Sequence, residues 1–272
     1  LYTNSSDDYQ GLFAKLENAT VKALTVTGYI EGYDYVGAIA GEAIGTTSIS
    51  SCRSECTIKG DDNIGGIVGE SYDSVVIRDC YNAGEIRGDG DISGIVGDAN
   101  DNTIIENCHN TGAITSDDND IGGIAGETPE AGGIQDCYNL GTVSAAGGES
   151  KYGAIAGYVY GDDYDDEHYG GKIKNCYYLN GTAEKGIGAN DNTSESEVVA
   201  PTAYDAADFA NGTVLNLLIA NRTGDENPWD TEGCGKYYSD EAATKEITKD
   251  ATIIAKLTEK PADTKPTDTK SS

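Results

Sequence analysis

Short apolar segments recur along the chain at a nearly constant spacing, and each is bounded by glycine, asparagine or aspartate. The clearest is a glycine-rich octapeptide that reads YVGAIAGE, NIGGIVGE, DISGIVGD, DIGGIAGE and KYGAIAGY. Its central isoleucines are 28, 28, 29 and 31 residues apart: Ile39, Ile67, Ile95, Ile124 and Ile155. Each period holds three strand-sized apolar segments, which predicts one solenoid coil per repeat and not one globular domain per repeat.

A second motif keeps the same period and centres on a cysteine, as in IRDCYNAGEI, IENCHNTGAI and IQDCYNLGTV. Coils stacked at the β-strand spacing of about 4.8 Å place equivalent residues above one another. The pattern therefore predicts an interior thiol ladder and an asparagine ladder at a bend, where side-chain amides bond one another: Cys52, Cys80, Cys108, Cys137 and Cys176; Asn82, Asn110 and Asn139. His109 takes the place of a tyrosine beside this ladder and is interpreted as a surface residue.

The predicted fold class is all-β, a parallel β-helix of about six coils of ~28 residues over residues 1–185. We expect it to be right-handed, as most parallel crossovers are. Residues 186–257 are interpreted as a C-terminal cap with a helical segment, because apolar residues from Phe209 to Ile219 recur at helical spacing. A cap would protect the unpaired strand edges of the last coil. The Thr, Pro and Lys-rich residues 258–272 are interpreted as a solvated linker.

The pair of motifs IGGIVGE and IRDCYNAGEI resembles the GLUG motif, which occurs in tandem in bacterial secreted and cell-surface proteins, including non-catalytic parts of IgA-specific metallopeptidases. The resemblance covers roughly residues 10 to 185. It implies a surface-exposed β-solenoid module. Two features depart from it: the last coil is longer, and Cys56 stands where Gly84 and Gly112 stand in later coils.

Composition narrows the possible partners and chemistry. The net charge of −29 repels phosphate backbones and anionic lipid surfaces, so we expect neither nucleic-acid nor membrane-surface binding. No apolar run approaches the length of a membrane span. The chain has two histidines, no HExxH, no GxSxG and no P-loop, which argues against zinc peptidase, serine hydrolase and nucleotide chemistry. We therefore expect a protein that is not an enzyme.

The cysteine count allows two interpretations. Seven cysteines in a secreted chain are typical of a disulfide framework. Five of them, however, share one ladder, where the coil spacing exceeds the Cβ separation of about 3.8 Å that a disulfide prefers. We favour reduced, buried thiols that fill the core as small apolar groups. A disulfide between Cys52 and Cys56 remains an alternative.

Carboxylates are the candidate metal ligands, because the solenoid would stack them one coil apart. One set ends the octapeptide and the other precedes it: Glu42, Glu70, Asp98 and Glu127; Asp61, Asp89 and Asp118. Stacked carboxylates either turn into water or hold a hard cation such as Ca²⁺ through oxygen ligands. The expected cofactor is therefore either none or Ca²⁺.

An insertion between Gly157 and Lys172 lengthens the last coil, and insertions in solenoids map to loops that often carry function. Its tyrosines could stack on sugar rings and its acids could hold a cation. The candidate ligand-binding residues are Tyr160, Asp162, Asp163, Tyr164, Asp165, Asp166, Glu167, His168 and Tyr169.

The sequence favours a non-catalytic bacterial module for adhesion or display, located outside the cell or on its surface as a fragment of a larger secreted protein. Its expected partner is a protein or glycan on a host or neighbouring cell, with no membrane insertion. One alternative is a carbohydrate-active β-helix enzyme, either a polysaccharide lyase or a hydrolase. A pure structural stalk is the other.

Overall fold

A computed structural model describes residues 1–117, 120–146, 151–161, 170–192 and 197–221. Within these residues the chain forms a parallel β-solenoid of about seven turns, with two short helices near the C-terminal end. The predicted fold class is therefore confirmed. The seventh turn adds strands from residues 187 to 204 to the six coils expected from the motif. No helix among the described residues is long and apolar enough to cross a membrane.

The strands are short and follow one another without long connections. The first fifteen are β1 (Tyr2–Asn4), β2 (Phe13–Glu17), β3 (Thr20–Lys22), β4 (Thr25–Glu31), β5 (Val36–Gly37), β6 (Ala40–Ile44), β7 (Ser48–Ser50), β8 (Arg53–Lys59), β9 (Ile64–Gly65), β10 (Val68–Ser71), β11 (Val76–Arg78), β12 (Tyr81–Asn82), β13 (Ile86–Gly88), β14 (Ile92–Ser93) and β15 (Val96–Ala99).

The remaining elements continue the same order of strands and end in two helices. They are β16 (Ile104–Glu106), β17 (His109–Asn110), β18 (Ile114–Ser116), β19 (Asp120–Gly122), β20 (Ala125–Glu127), β21 (Gly133–Gln135), β22 (Tyr138–Asn139), β23 (Val143–Ala145), β24 (Lys151–Gly153), β25 (Ala156–Val159), β26 (Ile173–Lys174), β27 (Tyr177–Leu179), β28 (Ile187–Asn190), β29 (Thr202–Tyr204), α1 (Ala206–Ala210) and α2 (Thr213–Asn221).

Four parallel sheets run along the solenoid. Sheet C has the order β2-β6-β10-β15-β20-β25-β28, sheet D has β3-β7-β11-β16-β21-β26, and sheet B has β5-β9-β14-β19-β24. Sheet A begins with β1, β4 and β8 and then continues as two rows, β12-β17-β22-β27-β29 and β13-β18-β23. Each turn visits the sheets in the order C, D, A and B.

The octapeptide recurs because it crosses from sheet B to sheet C at the same place in each turn. Val68 pairs with Ala40 on one side and with Val96 on the other, so equivalent octapeptide residues stack in register. Ile39, Ile67 and Ile95 are fully buried in the core. A Cβ atom on Gly65 would lie 1.8 Å from the Val68 carbonyl oxygen, so this tight corner excludes larger residues.

The asparagine ladder explains why sheet A divides into two rows. The Asn82 side chain accepts a hydrogen bond from the Gly84 N–H and donates one to the Gly84 carbonyl. These two bonds hold a bend in the backbone between Asn82 and Gly84. Asn82 Nδ2 also donates to Asn110 Oδ1 on the next turn at 2.9 Å. Ser54 occupies this register position in β8, where the strand continues straight through. The predicted ladder at a bend is confirmed.

The cysteine ladder follows a corner in which one residue per turn has positive φ. Asp79, Asn107 and Asp136 adopt φ of 54°, 54° and 55°, and each directly precedes a ladder cysteine. Aspartate and asparagine tolerate this left-handed conformation better than most residues. The described cysteines are free and buried, including Cys56, as the reduced-thiol interpretation requires.

An aromatic stack covers the outer side of sheet A and carries the helices. The His109 ring lies between Tyr81 and Tyr138, with centroid distances of 4.7 and 4.8 Å. The ladder position of His109 is confirmed, but the expected surface location is wrong, because the side chain is only 5% exposed. Phe209, Val214, Leu215 and Leu218 of the helices pack against Tyr138 and Tyr177 on the last turns.

Candidate functional site: an acidic stripe between sheets B and C

Two columns of outward-facing polar residues meet along the edge between sheets B and C. Sheet C contributes Glu42, Glu70, Asp98 and Glu127, which stack in register on successive turns. The second column lies where the chain enters sheet B: Asp91 directly precedes β14, and Asp120 begins β19. We call these six carboxylates the acidic stripe. Asn63 links the two columns, since its Nδ2 donates to Glu70 Oε1 at 3.2 Å and to Asp98 Oδ2 at 3.5 Å.

Lysines neutralise both ends of the stripe. Lys15 stands in register with Glu42 on the preceding turn, and its Nζ lies 2.6 Å from Glu42 Oε2. At the other end, Lys151 Nζ lies 3.3 Å from Asp120 Oδ2 and 3.9 Å from the centre of the Tyr158 ring. Within the described part of the chain, no lysine or arginine forms an ion pair with Glu70, Asp91, Asp98 or Glu127. The negative charge is therefore concentrated in the middle turns.

The centre of the stripe brings three carboxylates together. Oxygen atoms of Asp91, Asp98 and Glu127 all lie within 4.8 Å of one another. Asp98 Oδ1 is buried and makes no well-formed hydrogen bond in the described structure, although the Asn100 amide nearby lowers the pKa of this carboxyl. Two unit charges 4.8 Å apart repel by about 3.5 kcal/mol at an effective dielectric constant near 20. Three ionised carboxylates in this arrangement need a proton or a cation.

Burial raises the pKa of each central carboxyl group, and the neighbouring carboxylates raise it further. The pKa rises to about 7 for Asp91, to about 6 for Asp98 and to about 8 for Glu127. Burial also raises the pKa of Glu70 to about 7, although the Tyr72 hydroxyl donates a hydrogen bond to it at 2.5 Å. Without a cation, the centre of the stripe therefore takes up protons close to neutral pH.

The predicted carboxylates divide into three groups. The ladder of Glu42, Glu70, Asp98 and Glu127 is stacked in register, as the repeat predicted. Asp61 and Asp89 lie outside the stripe, on adjoining turns where the Asp89 N–H donates to the Asp61 carbonyl. Asp118 lies outside the described residues.

Sequence reasoning missed Asp91 and Asp120, although a signal for them exists. Asn63, Asp91, Asp120 and Lys151 each directly precede the first apolar residue of an octapeptide. The side chain at this position lies beside the sheet C column. The residue type changes from an amide to acids and then to a lysine, and this change sets the charge of the stripe on each turn.

Other acidic columns on the surface already have a structural role. Asp34 Oδ1 accepts a hydrogen bond from the Asp62 N–H at 3.2 Å, and Asp62 Oδ1 accepts one from the Asp91 N–H at 3.0 Å. Asp101 Oδ2 likewise accepts from the Asp73 N–H at 2.8 Å. These carboxylates satisfy backbone donors at the corners of the solenoid.

Of the predicted ligand-binding loop, Tyr160 is the residue that the structure describes. Its ring packs edge-on against Tyr158 with a centroid distance of 5.1 Å, and burial together with the nearby Glu127 carboxylate raises the pKa of its hydroxyl group. The structure thus brings Tyr160 to the centre of the acidic stripe. The candidate residues from Asp162 to Tyr169 lie outside the described residues.

Comparison with known proteins gives no match: no family model, no curated protein and no solved structure is similar to this chain.

Proposed function

We propose that this chain is a non-catalytic contact module of a secreted or cell-surface bacterial protein, and that Ca²⁺ bound at the acidic stripe stabilises it. The module presents its side faces to a protein or glycan on a host or neighbouring cell. The observation that supports the cation most directly is the meeting of Asp91, Asp98 and Glu127 within 4.8 Å, without a lysine or arginine paired to them in the described structure.

The chemistry of the three carboxylates favours a hard divalent cation. Ca²⁺ takes six to eight oxygen ligands in a flexible arrangement, so three carboxylates and several waters can complete its shell. The orphaned Asp98 Oδ1 offers one such oxygen. A cation would also compete with the protons that the raised pKa values favour, so its binding should strengthen as the pH rises.

The contact role is supported by how the repeat uses its side chains. Cysteine and asparagine carry chemistry in many active sites, but the ladder cysteines and ladder asparagines of this chain are buried in its interior. The resemblance to GLUG-motif proteins favours the same role, since that motif occurs in surface modules.

A thermal melt in excess EDTA and in millimolar Ca²⁺ tests the cation site. We expect the melting temperature of the wild-type chain to rise with Ca²⁺. Asp98→Asn should melt higher than wild type in EDTA, because it relieves repulsion, and should lose most of the Ca²⁺ response. Glu85→Gln is the matched control: its carboxylate lies outside the stripe, is 44% exposed and pairs with Arg87. An exposed ion pair contributes at most about 1 kcal/mol, so this change should hardly move the melting temperature in EDTA and should leave the Ca²⁺ response intact.

Two outcomes would count against the cation site. One is a melting temperature that Ca²⁺ does not change, and the other is a Ca²⁺ response that Asp98→Asn and Glu85→Gln reduce equally. The contact role has its own test, a binding screen of the chain against glycans, matrix proteins and whole cells. A screen without binding would leave only the role of a structural stalk.

A carbohydrate-active enzyme is the second candidate, favoured by the same central carboxylates. Retaining glycosidases place two carboxyl groups about 5 Å apart, and the three central acids meet at a similar separation beside Tyr160. Depolymerisation of a polysaccharide that Glu127→Gln and Asp91→Asn both abolish, and Glu85→Gln does not, would favour this candidate over the contact module.

A further inference from the structure

We propose that a depression on the outer face of sheet D binds a sugar residue that carries a carboxylate. This inference rests on the proposed contact function and names a class of glycan for it. It uses a face of the solenoid that shares no residue with the acidic stripe.

The outer face of sheet D differs in charge from the rest of the chain. Its strands and the residue before β26 carry four basic side chains and one acidic one: Lys22, Arg78, Lys172 and Lys174; Glu106. Arg78 lies 3.9 Å from Glu106, and Lys172 lies 3.6 Å from Glu197. Lys174 is exposed. These two ion pairs neutralise Arg78 and Lys172, which leaves Lys22 and Lys174 as the basic side chains without an ion pair in the described part of this face. An anionic group can therefore bind here despite the net charge of −29. Charges elsewhere act weakly here, because salt screens them beyond about 8 Å.

A depression forms where a glycine interrupts a column of larger side chains. Val76 and Ile104 occupy this outward column on two successive turns, and Gly133 follows on the next. The depression is open to solvent, has a volume of about 180 Å³ and is lined by Ile104, residues 131–135, Lys172 and Lys174. Ile104 is 37% exposed and forms an apolar wall.

The size and surface of the depression match one pyranose ring with a carboxylate. Its volume of about 180 Å³ is many times the roughly 10–15 Å³ that a cavity needs to hold one water, which leaves room for a small ring. Ile104, Ala131 and the glycine methylenes give an apolar floor for the C–H face of the ring. Lys174 is exposed and lines the depression, so its ammonium group can form a charge-assisted hydrogen bond with a bound carboxylate.

The same place is poorly suited to an extended peptide. The backbone N–H groups of Ala131, Gly132 and Gly133 already donate to the carbonyls of Asp101 and Thr103. A peptide therefore finds no free edge to which it could add as a strand, and recognition must use side chains.

NMR titration of the ¹⁵N-labelled chain with methyl glucuronide tests the proposal, with methyl glucoside as the probe that lacks the carboxylate. We expect the glucuronide to shift the amide signals of residues 131–135 and 172–174 and to bind about tenfold more tightly than the glucoside. Lys174→Ala should weaken glucuronide binding by a similar factor. Lys22→Ala is the matched control, because Lys22 occupies the same register position as Lys174 at the other end of sheet D and should bind like wild type.

Several results would overturn the proposal: no binding, equal binding of glucuronide and glucoside, or equal effects of Lys174→Ala and Lys22→Ala. Equal binding of glutarate would also overturn it, since it would show recognition of any carboxylate, including an acidic peptide. Titration in EDTA separates this inference from the proposed cation. If glucuronide still binds in EDTA while Ca²⁺ leaves the melting temperature unchanged, the sugar site is supported and the cation site is refuted.

Discussion

Replacement of Asn110 by alanine should cause a large loss of stability, because this side chain lies in the middle of the asparagine ladder. Asn110 is fully buried and takes part in four hydrogen bonds. It accepts from Asn82 Nδ2 and from the Gly112 N–H, and it donates to the Gly112 carbonyl and to Asn139 Oδ1, at distances of 2.9 to 3.1 Å.

The magnitude follows from the groups that the substitution leaves unpaired. The N–H and C=O of Gly112 are buried and lose their partner, at a cost of about 2 kcal/mol each. The two links to neighbouring asparagines contribute about 1 kcal/mol each. We therefore expect Asn110→Ala to lower the free energy of unfolding by about 6 kcal/mol. Asn139→Ala should cost about 1 kcal/mol less, because Tyr178 and not another asparagine follows Asn139 on the next turn.

Urea denaturation followed by circular dichroism measures these differences. Asn102→Ala is the control, since Asn102 is an exposed asparagine in the same repeat as Asn110. Its replacement should change the free energy of unfolding by at most about 0.5 kcal/mol. The reasoning is refuted if Asn110→Ala lies within about 1 kcal/mol of Asn102→Ala, or if Asn139→Ala costs more than Asn110→Ala.

Three further predictions concern other ladders. Burial raises the thiol pKa of Cys80, Cys108 and Cys137, so iodoacetamide should label them only after unfolding, and peptide mapping that finds Cys108 labelled in the native chain would contradict this. Burial lowers the pKa of His109 to about 3, whereas an unfolded histidine titrates near 6.5. The unfolded state therefore binds more protons between these values, so the His109 contribution to stability is complete above pH 6.5 and decreases as the pH falls toward 3. NMR should find a neutral His109 ring at pH 5, and His109→Tyr should reduce the acid sensitivity of unfolding; a charged ring at pH 5 would refute this. A Cβ on Gly112 would lie 1.9 Å from the Gly84 carbonyl oxygen, so Gly112→Ala should cost about 3 kcal/mol in a urea titration. Gly181→Ala, which has open space around it, should cost only about 1 kcal/mol for its positive φ, and equal costs would contradict the stacking argument.

The amino-acid sequence by itself determined the stacked architecture of this protein. Each turn must present the same profile to its neighbour, so Ile67, Cys80 and Asn82 recur at the period of the coil and predict their own ladders. The carboxylate ladder through Glu70 and Asp98 followed from the same argument, because residues one period apart must stack.

The tertiary structure alone decided which ladders face one another. Asp91 and Asp98 lie at the two ends of one octapeptide, and Glu127 ends the octapeptide of the next repeat, so no single period relates the three. They meet because the chain turns sharply between sheets B and C, at a corner where neighbouring backbones leave room only for glycine or another small residue. Periodicity specifies contacts between turns, whereas contacts around a turn depend on the angle of each corner, which local packing determines.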